Sequence, residues 1–179
     1  MTISAEQTLY ILDAFKRMET KEDFLDLLNY AKVIIFGTKA YPFQLRQLNY
    51  YINGQSRKSN YTIFTIKKKS GSERTICAPE KGLKVIQGCL NLILQQLYKP
   101  NQVVHGFVPG RSIVSNAQSH LTSRYVFNLD LKDFFFSIDQ ARIWGRLKLE
   151  PFNLNEKGGR LHLANMISVL CCCEMAVKR

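Results

Sequence analysis

The feature that most constrains the fold is a pair of short β-prone segments within an otherwise helical pattern. Residues 61–66 are β-branched or aromatic, and residues 74–78 form a second run of this type after a Ser-Gly-Ser turn. Two such runs around a glycine turn predict a β-hairpin, which Pro79 ends. The pattern excludes an all-helical fold.

Before the hairpin, the chain has the apolar spacing of three helices. Apolar Leu9, Leu12 and Phe15 fall at helical spacing and predict the first helix. A capping sequence at Thr20 starts the second helix, and Asn53 stops a short third one.

After the hairpin, helices and one strand are predicted to alternate. Helical spacing covers residues 83–98 and 161–177, and shorter helices are predicted around Asn116 and Trp144. The apolar run 125–131 predicts a strand. This order of elements gives an α+β or mixed α/β fold.

Basic residues are concentrated in the middle of the chain. The net charge is +11, and residues 55–84 contain eight basic and two acidic side chains. Residues 85–127 add three basic and no acidic side chains, so +9 of the +11 lies in 55–127. This distribution favours a surface that meets a polyanion such as nucleic acid. A solvated lysine-rich surface is the alternative, and composition alone does not decide between them.

Three further patterns bear on location. No apolar run reaches the roughly 18–20 residues of a membrane span, and the first residues lack the apolar core of a signal peptide. The five cysteines are unevenly spaced and do not form a disulfide framework. We therefore expect a cytoplasmic protein without a membrane partner.

Three motifs carry candidate chemistry, and each is weak alone. Asp130 ends the predicted strand and Asp133 follows at the turn, where carboxylates suit Mg²⁺ together with substrate phosphates. The stretch 67–74 places three lysines and an arginine at the hairpin tip, which suits phosphate binding. The loop 106–112 has two glycines and a basic residue but not the spacing of a P-loop. The alternatives are solvated acidic caps, an ordinary charged turn and an ordinary glycine-rich loop.

Taken in order, these segments resemble a bacterial reverse transcriptase of the retron, defence-associated and group II intron type. The hairpin with its tip, from Tyr61 to Pro79, and the following Leu83-Lys84-x-Ile86-Gln87 resemble the fingers of that family. The segment from His105 to His120 resembles the next block, and Asn128-Leu129-Asp130-Leu131-Lys132-Asp133-Phe134-Phe135 resembles the first catalytic block of the palm. The match covers roughly residues 41–179.

Two departures from the family accompany the resemblance. Phe136 stands where the family usually has proline, which should be tolerated because the catalytic carboxylate lies upstream. The chain also stops before the family's Leu-Pro-Gln-Gly block, its Tyr-x-Asp-Asp pair and its thumb. We therefore expect an incomplete right-hand polymerase that does not turn over alone.

The resemblance implies a role for each matching residue. Asp130 would be catalytic and would bind two Mg²⁺ ions with help from the carbonyl of Leu131. The deoxynucleoside triphosphate would be bound by Lys68, Arg74, Asp133 and Phe135, with Phe135 excluding a ribose 2′-hydroxyl. Template and primer would be contacted by Lys67, Lys69, Arg111, Ser112 and Asn116.

The resemblance also implies partners and a division of the chain. Residues 1–54 would form an N-terminal helical region, 55–120 the fingers and 121–179 part of the palm. The partners would be an RNA template, a DNA or RNA primer and the nucleotide, with self-association through an exposed palm edge. The alternative is a non-catalytic RNA-binding module, or one half of a split reverse transcriptase.

Overall fold

The computed structural model describes residues 3–53, 60–69, 71–131, 134–155 and 159–173, and it has an α+β fold. The elements follow in the order α1 (Ala5–Arg17), α2 (Lys21–Phe36), α3 (Leu45–Ile52), β1 (Tyr61–Lys67), β2 (Glu73–Pro79), α4 (Lys81–Leu97), α5 (Ile113–Gln118), a 3₁₀ turn (Phe134–Ser137), α6 (Gln140–Leu147) and α7 (Leu161–Cys171). Asp133 and residues 174–177 of the predicted last helix lie outside the described residues.

The predicted cap of α2 is confirmed. The Thr20 hydroxyl accepts a hydrogen bond from the Asp23 amide at 3.1 Å, and the Asp23 carboxylate accepts one from the Thr20 amide at 2.9 Å. The amides of Glu19 and Thr20 hold the pKa of the Asp23 carboxyl below its ordinary value because they stabilise the charged form. Gly37 ends the helix at φ 83°, a conformation that favours glycine.

The core is formed mainly by helices packed on one another. Its fully buried members include Phe15 of α1, Phe24 of α2, Ile86 and Ile93 of α4, and Ile167 of α7. Such a core is stabilised by the apolar area that it removes from water, at about 25 cal/mol per Å².

The first predicted helix is confirmed as α1, but its buried stripe is not formed by the three residues that predicted it. Leu9 is 66% exposed, whereas Ile11, Phe15 and Met18 are buried. The buried residues follow one another at spacings of four and three, so they form one helical stripe. Leu9 and Phe15, six residues apart, lie on different faces of the helix.

The hairpin forms as predicted. Strands β1 and β2 pair antiparallel from Tyr61 opposite Pro79 to Lys67 opposite Glu73, and they form a sheet of two strands. Most of β1 is exposed, and only Tyr61 at its start is half-buried.

The chain divides into two compact units, residues 1–97 with 139–179, and residues 98–138. The first contains the core described above. Among the described residues of the second unit, none is buried. The contacts within the described part of this unit are therefore hydrogen bonds and ring contacts rather than those of a buried apolar core.

The strand predicted over 125–131 is wrong. These residues have no regular secondary structure and are all exposed. A strand needs a hydrogen-bonded neighbour, and in the described part of the chain the only paired strands are β1 and β2.

The end of the last helix, the cysteines and the lengths of the helices complete the description of the fold. Helix α7 ends at Cys171, earlier than predicted, and all five cysteines are free thiols. No helix within the described ranges is both long enough and apolar enough to cross a membrane.

Candidate nucleotide-binding and nucleic-acid-binding site

The hairpin tip presents a cluster of cations to solvent. The Lys68 amide donates to the Ser72 carbonyl at 2.7 Å, and the Gly71 amide donates to the Lys68 carbonyl at 3.0 Å. Gly71 has φ 82°, so a residue with a side chain would be strained there. All four predicted cations of the tip are exposed, and none forms an ion pair with an acidic side chain of the described residues: Lys67, Lys68, Lys69 and Arg74.

The register of the hairpin separates two of these cations. Arg74 pairs with Ile66, and Lys67 pairs with Glu73 on the neighbouring rung. Successive side chains of a strand point to opposite faces of the sheet. Arg74 and Lys67 therefore lie on opposite faces of the hairpin.

The base of the hairpin is joined to two helices through Gln87 of α4. The Gln87 side-chain amide donates to the Tyr61 hydroxyl at 2.9 Å and to the Leu170 carbonyl at 2.8 Å. Burial raises the pKa of the Tyr61 hydroxyl to about 12, because the anion is poorly solvated there. This contact connects β1 with both α4 and α7.

A second contact holds the end of β2 at the start of α4. The Tyr51 hydroxyl donates to the Glu80 carboxylate, and the Glu80 amide donates to the Asn60 carbonyl at 2.9 Å. A Cβ at Gly82 would collide with the Tyr51 hydroxyl and lie 3.3 Å from its Cζ. Burial and the Glu80 carboxylate raise the pKa of Tyr51. Glycine at 82 thus allows Tyr51 to reach Glu80.

In the second unit, Arg111 holds the predicted glycine-rich loop together. Its Nη1 donates to the carbonyls of Asn101 at 2.6 Å and Gln102 at 3.0 Å, and also to that of Val104. The Arg111 amide donates to the Val108 carbonyl at 3.1 Å. The Nη1 group of this guanidinium is therefore engaged in hydrogen bonds within the loop.

Ser112 and Asn116, the other predicted contacts of this block, differ in their availability. The Ser112 hydroxyl accepts from the Ser115 amide at 3.2 Å and caps α5. The neighbouring Ser115 hydroxyl lies 3.0 Å from Nδ1 of His105. The Asn116 side chain is exposed on α5.

The first predicted palm block lies in the same unit. Asp130 and Leu131 are exposed, and Phe135 follows in the 3₁₀ turn. The Phe135 ring contacts the Phe134 ring at 5.5 Å between centroids and the Phe107 ring at 5.9 Å. The structure thus places Asp130 and Phe135 in one unit, and Lys68 and Arg74 in the other.

The residues that the structure describes do not by themselves form a site for two Mg²⁺ ions. Within the described ranges, no group of three or more His, Cys, Asp or Glu side chains is arranged to hold a metal ion. Asp130 would supply one or two carboxylate oxygens and Leu131 one carbonyl oxygen, which is at most about three ligands, whereas hard cations take about six.

The sequence analysis did not predict that Gln87 connects the hairpin with α7, or that Phe107 contacts Phe135. The signal for Gln87 was a polar residue beside the apolar stripe of α4, next to buried Ile86. For the ring contact there was no sequence signal, because the two residues lie 28 positions apart.

Comparisons with known proteins agree with the motifs. A model of the family "Reverse transcriptase (RNA-dependent DNA polymerase)" matches residues 66–170. No solved structure matches the chain.

Three curated relatives are retron reverse transcriptases. Retron Mx65 reverse transcriptase of Myxococcus xanthus is 41% identical over 93 residues, which are 52% of this chain and 22% of that protein. Retron Mx162 reverse transcriptase of the same organism is 39% identical over 90 residues, 50% of this chain and 19% of the relative. Retron Ec86 reverse transcriptase of Escherichia coli is 32% identical over 115 residues, 63% and 33% of the two chains.

The matched segments span about a fifth to a third of the lengths of these relatives. The family model, in contrast, matches more than half of this chain. The chain therefore belongs to the reverse transcriptase (RNA-dependent DNA polymerase) family.

Proposed function

We propose that this chain provides the nucleotide-binding and template-binding part of an RNA-directed DNA polymerase. The observation that carries the proposal is the exposed cation cluster at the hairpin tip, which lies within the segment matched by the family model. Template RNA, primer and nucleoside triphosphate are all polyanions, so each needs such a surface.

The two faces of the hairpin support a division of labour. Arg74, with a planar guanidinium suited to phosphate oxygens, would bind the triphosphate together with Lys68 at the tip. Lys67 lies on the other face, opposite Glu73, and would contact the nucleic acid together with Lys69. Ion pairs within the described residues do not compete for these side chains.

The second unit would supply the catalytic carboxylate. Asp130 would bind Mg²⁺ with help from the Leu131 carbonyl, and further ligands would have to complete the coordination. When bound, the metal ions would stabilise charge on the transferring phosphoryl group. Phe135 would lie beside the sugar, and Asp133 near the triphosphate.

The loop 101–112 would approach the nucleic-acid backbone beside α5. Arg111 has one nitrogen engaged with the loop carbonyls, so its remaining donors would face phosphate. Ser112 would act through the α5 cap, and Asn116 would reach the nucleic acid through its exposed side chain.

The proposed regions are an N-terminal helical part (1–54), fingers (55–120) and a partial palm (121–179). We also propose cytoplasmic location, for which the five free thiols are the supporting observation. The copied RNA would be that of a retron, a phage-defence system or a mobile intron.

The test is primer extension on an RNA template with Mg²⁺, using the complete polypeptide that the gene encodes. Asp130→Asn should reduce extension to background and leave RNA binding near normal, because the amide keeps the shape but removes the charge. Asp139→Asn is the matched control. Asp139 caps α6 by accepting from the Arg142 amide at 2.8 Å, and asparagine caps equally well.

Two results would contradict the proposal. Extension that survives Asp130→Asn would remove Asp130 from the catalytic role. RNA binding without any extension by the unaltered polypeptide would indicate a non-catalytic RNA-binding module instead.

A polypeptide limited to the 179 residues should bind RNA without extending the primer, because Asp130 alone cannot hold two metal ions. Robust extension by it would show that other carboxylates, such as Asp133, complete the site.

A further inference from the structure

Two aromatic rings that are distant in the sequence meet in the unit formed by residues 98–138. The rings of Phe107 and Phe135 lie 5.9 Å apart between centroids with an interplanar angle of 86°. This edge-to-face arrangement is one of the preferred geometries of aromatic pairs. Phe107 thus supplies a directional contact to the ring that we propose to lie beside the sugar.

The loop that carries Phe107 is fixed on both sides. Before it, the Arg111 guanidinium binds the carbonyls of Asn101 and Gln102 at 2.6 and 3.0 Å. After it, the Arg111 amide donates to the Val108 carbonyl at 3.1 Å. One residue therefore closes both ends of the segment that presents the phenyl ring.

The backbone of Phe107 is unusual for its residue type. Its φ is 59°, in the left-handed region where a bulky side chain is rare. The residue is also 90% exposed, so the ring does not contribute to a buried core. Glycine would adopt this backbone without strain, which indicates that the ring is present for its contact rather than for folding.

We propose that Phe107 is a positioning residue for Phe135. Its ring edge fixes the orientation of Phe135, and through it the space left for a 2′-hydroxyl on the incoming nucleotide. The inference rests on the proposed function, since it assigns to Phe107 a part of the sugar discrimination proposed for Phe135.

The experiment measures kcat/KM for a deoxynucleotide and for the matching ribonucleotide, in the complete polypeptide. Phe107→Ala should lower the ratio of the two values about two- to tenfold, the range expected for loss of one edge-to-face pair. The change should come from a higher kcat/KM for the ribonucleotide. General damage to the fold would instead lower both values together.

Three further variants separate a ring contact from other effects. Phe107→Tyr keeps the ring and should retain the ratio. Phe107→Leu keeps apolar volume without a ring and should behave like alanine. Val103→Ala changes an exposed side chain of the same loop and should leave the ratio unchanged.

Phe135→Ala distinguishes failure of this inference from failure of the proposed function. If Phe135→Ala lowers the ratio and Phe107→Ala does not, Phe107 has no positioning role. If neither Phe135→Ala nor Phe107→Ala lowers it, the role proposed for Phe135 is itself wrong. The double variant should match Phe135→Ala alone, since two residues that act through one ring are not additive. An additive double variant would overturn the inference.

Discussion

Replacing Gln87 with methionine removes the hydrogen bonds that connect the hairpin with the helices, while the side chain keeps its length. The Gln87 amide uses one hydrogen for the Tyr61 hydroxyl and the other for the Leu170 carbonyl. Leu170 lies in the last turn of α7, where a helix has no intrahelical donor left for its carbonyls. Gln87 therefore satisfies a carbonyl of a buried residue that nothing in α7 can satisfy.

The expected loss follows from these two contacts. A net hydrogen bond contributes about 1 kcal/mol, and a buried acceptor left without a partner costs about 1–3 kcal/mol. Gln87→Met should therefore lower the free energy of unfolding by roughly 2–4 kcal/mol. Tyr61→Phe removes only the 2.9 Å contact and leaves the Leu170 carbonyl satisfied, so it should cost about 1 kcal/mol.

Urea unfolding followed by circular dichroism measures both values. Gln95→Met is the matched control, because Gln95 lies on the same helix and its 3.4 Å contact with Asn91 is exposed. It should change the free energy of unfolding by less than about 0.5 kcal/mol. If Gln87→Met were as mild as Gln95→Met, the joint would contribute nothing to stability and the reasoning would be refuted.

Three other outcomes are expected. RNA affinity should fall steeply with salt, and the slope should flatten when alanine replaces the hairpin cations Lys67, Lys68, Lys69 and Arg74. Filter binding between about 50 and 200 mM salt tests this. An equal flattening by alanine at four exposed cations within residues 1–54 would show that the position of the cations does not matter: Lys16, Lys21, Lys39 and Arg46. Burial raises the pKa of the Cys89 thiol from 9.0 to about 11 and that of Tyr61 from 10.0 to about 12. Since the folded state favours the protonated forms, the free energy of unfolding should be highest below about pH 9 and fall as the pH rises towards 12. Measured by urea unfolding, Cys89→Ala should lose less stability over this range than the unaltered chain, and an unaltered chain whose stability does not change with pH would contradict the assignment. The exposed apolar run 125–131 should drive self-association of the 179-residue chain; light scattering that shows a monomer at all concentrations would disprove it.

Local signals in the sequence were enough for most helices and for the hairpin. Thr20 with Asp23 fixes the start of α2, Gly37 fixes its end, and Gly71 provides the turn between the strands. Each of these features acts within a few residues, through a side chain that bonds a nearby amide or a backbone angle that only glycine adopts readily.

What the sequence could not provide depends on partners far along the chain. The run 125–131 has strand propensity, but a strand forms only against a neighbour, and none of the described segments pairs with it. For the candidate site, the cations of the tip could be predicted from their spacing. The engagement of Arg111 with the carbonyls of Asn101 and Gln102 could not, because any polar group could have been its partner.

The hairpin contacts the helices at its base, so a tilt at the base displaces its tip. Six residue steps separate Tyr61, at the joint with Gln87, from Lys67 near the tip, a distance of roughly 20 Å at the usual rise of a strand. A tilt of about 10° at the joint moves the tip by about 3.5 Å, which exceeds the length of a hydrogen bond. A small change in packing around Gln87 would thus produce a larger displacement at the cations. The phosphate affinity that we propose for the tip would consequently depend in part on residues that do not contact phosphate.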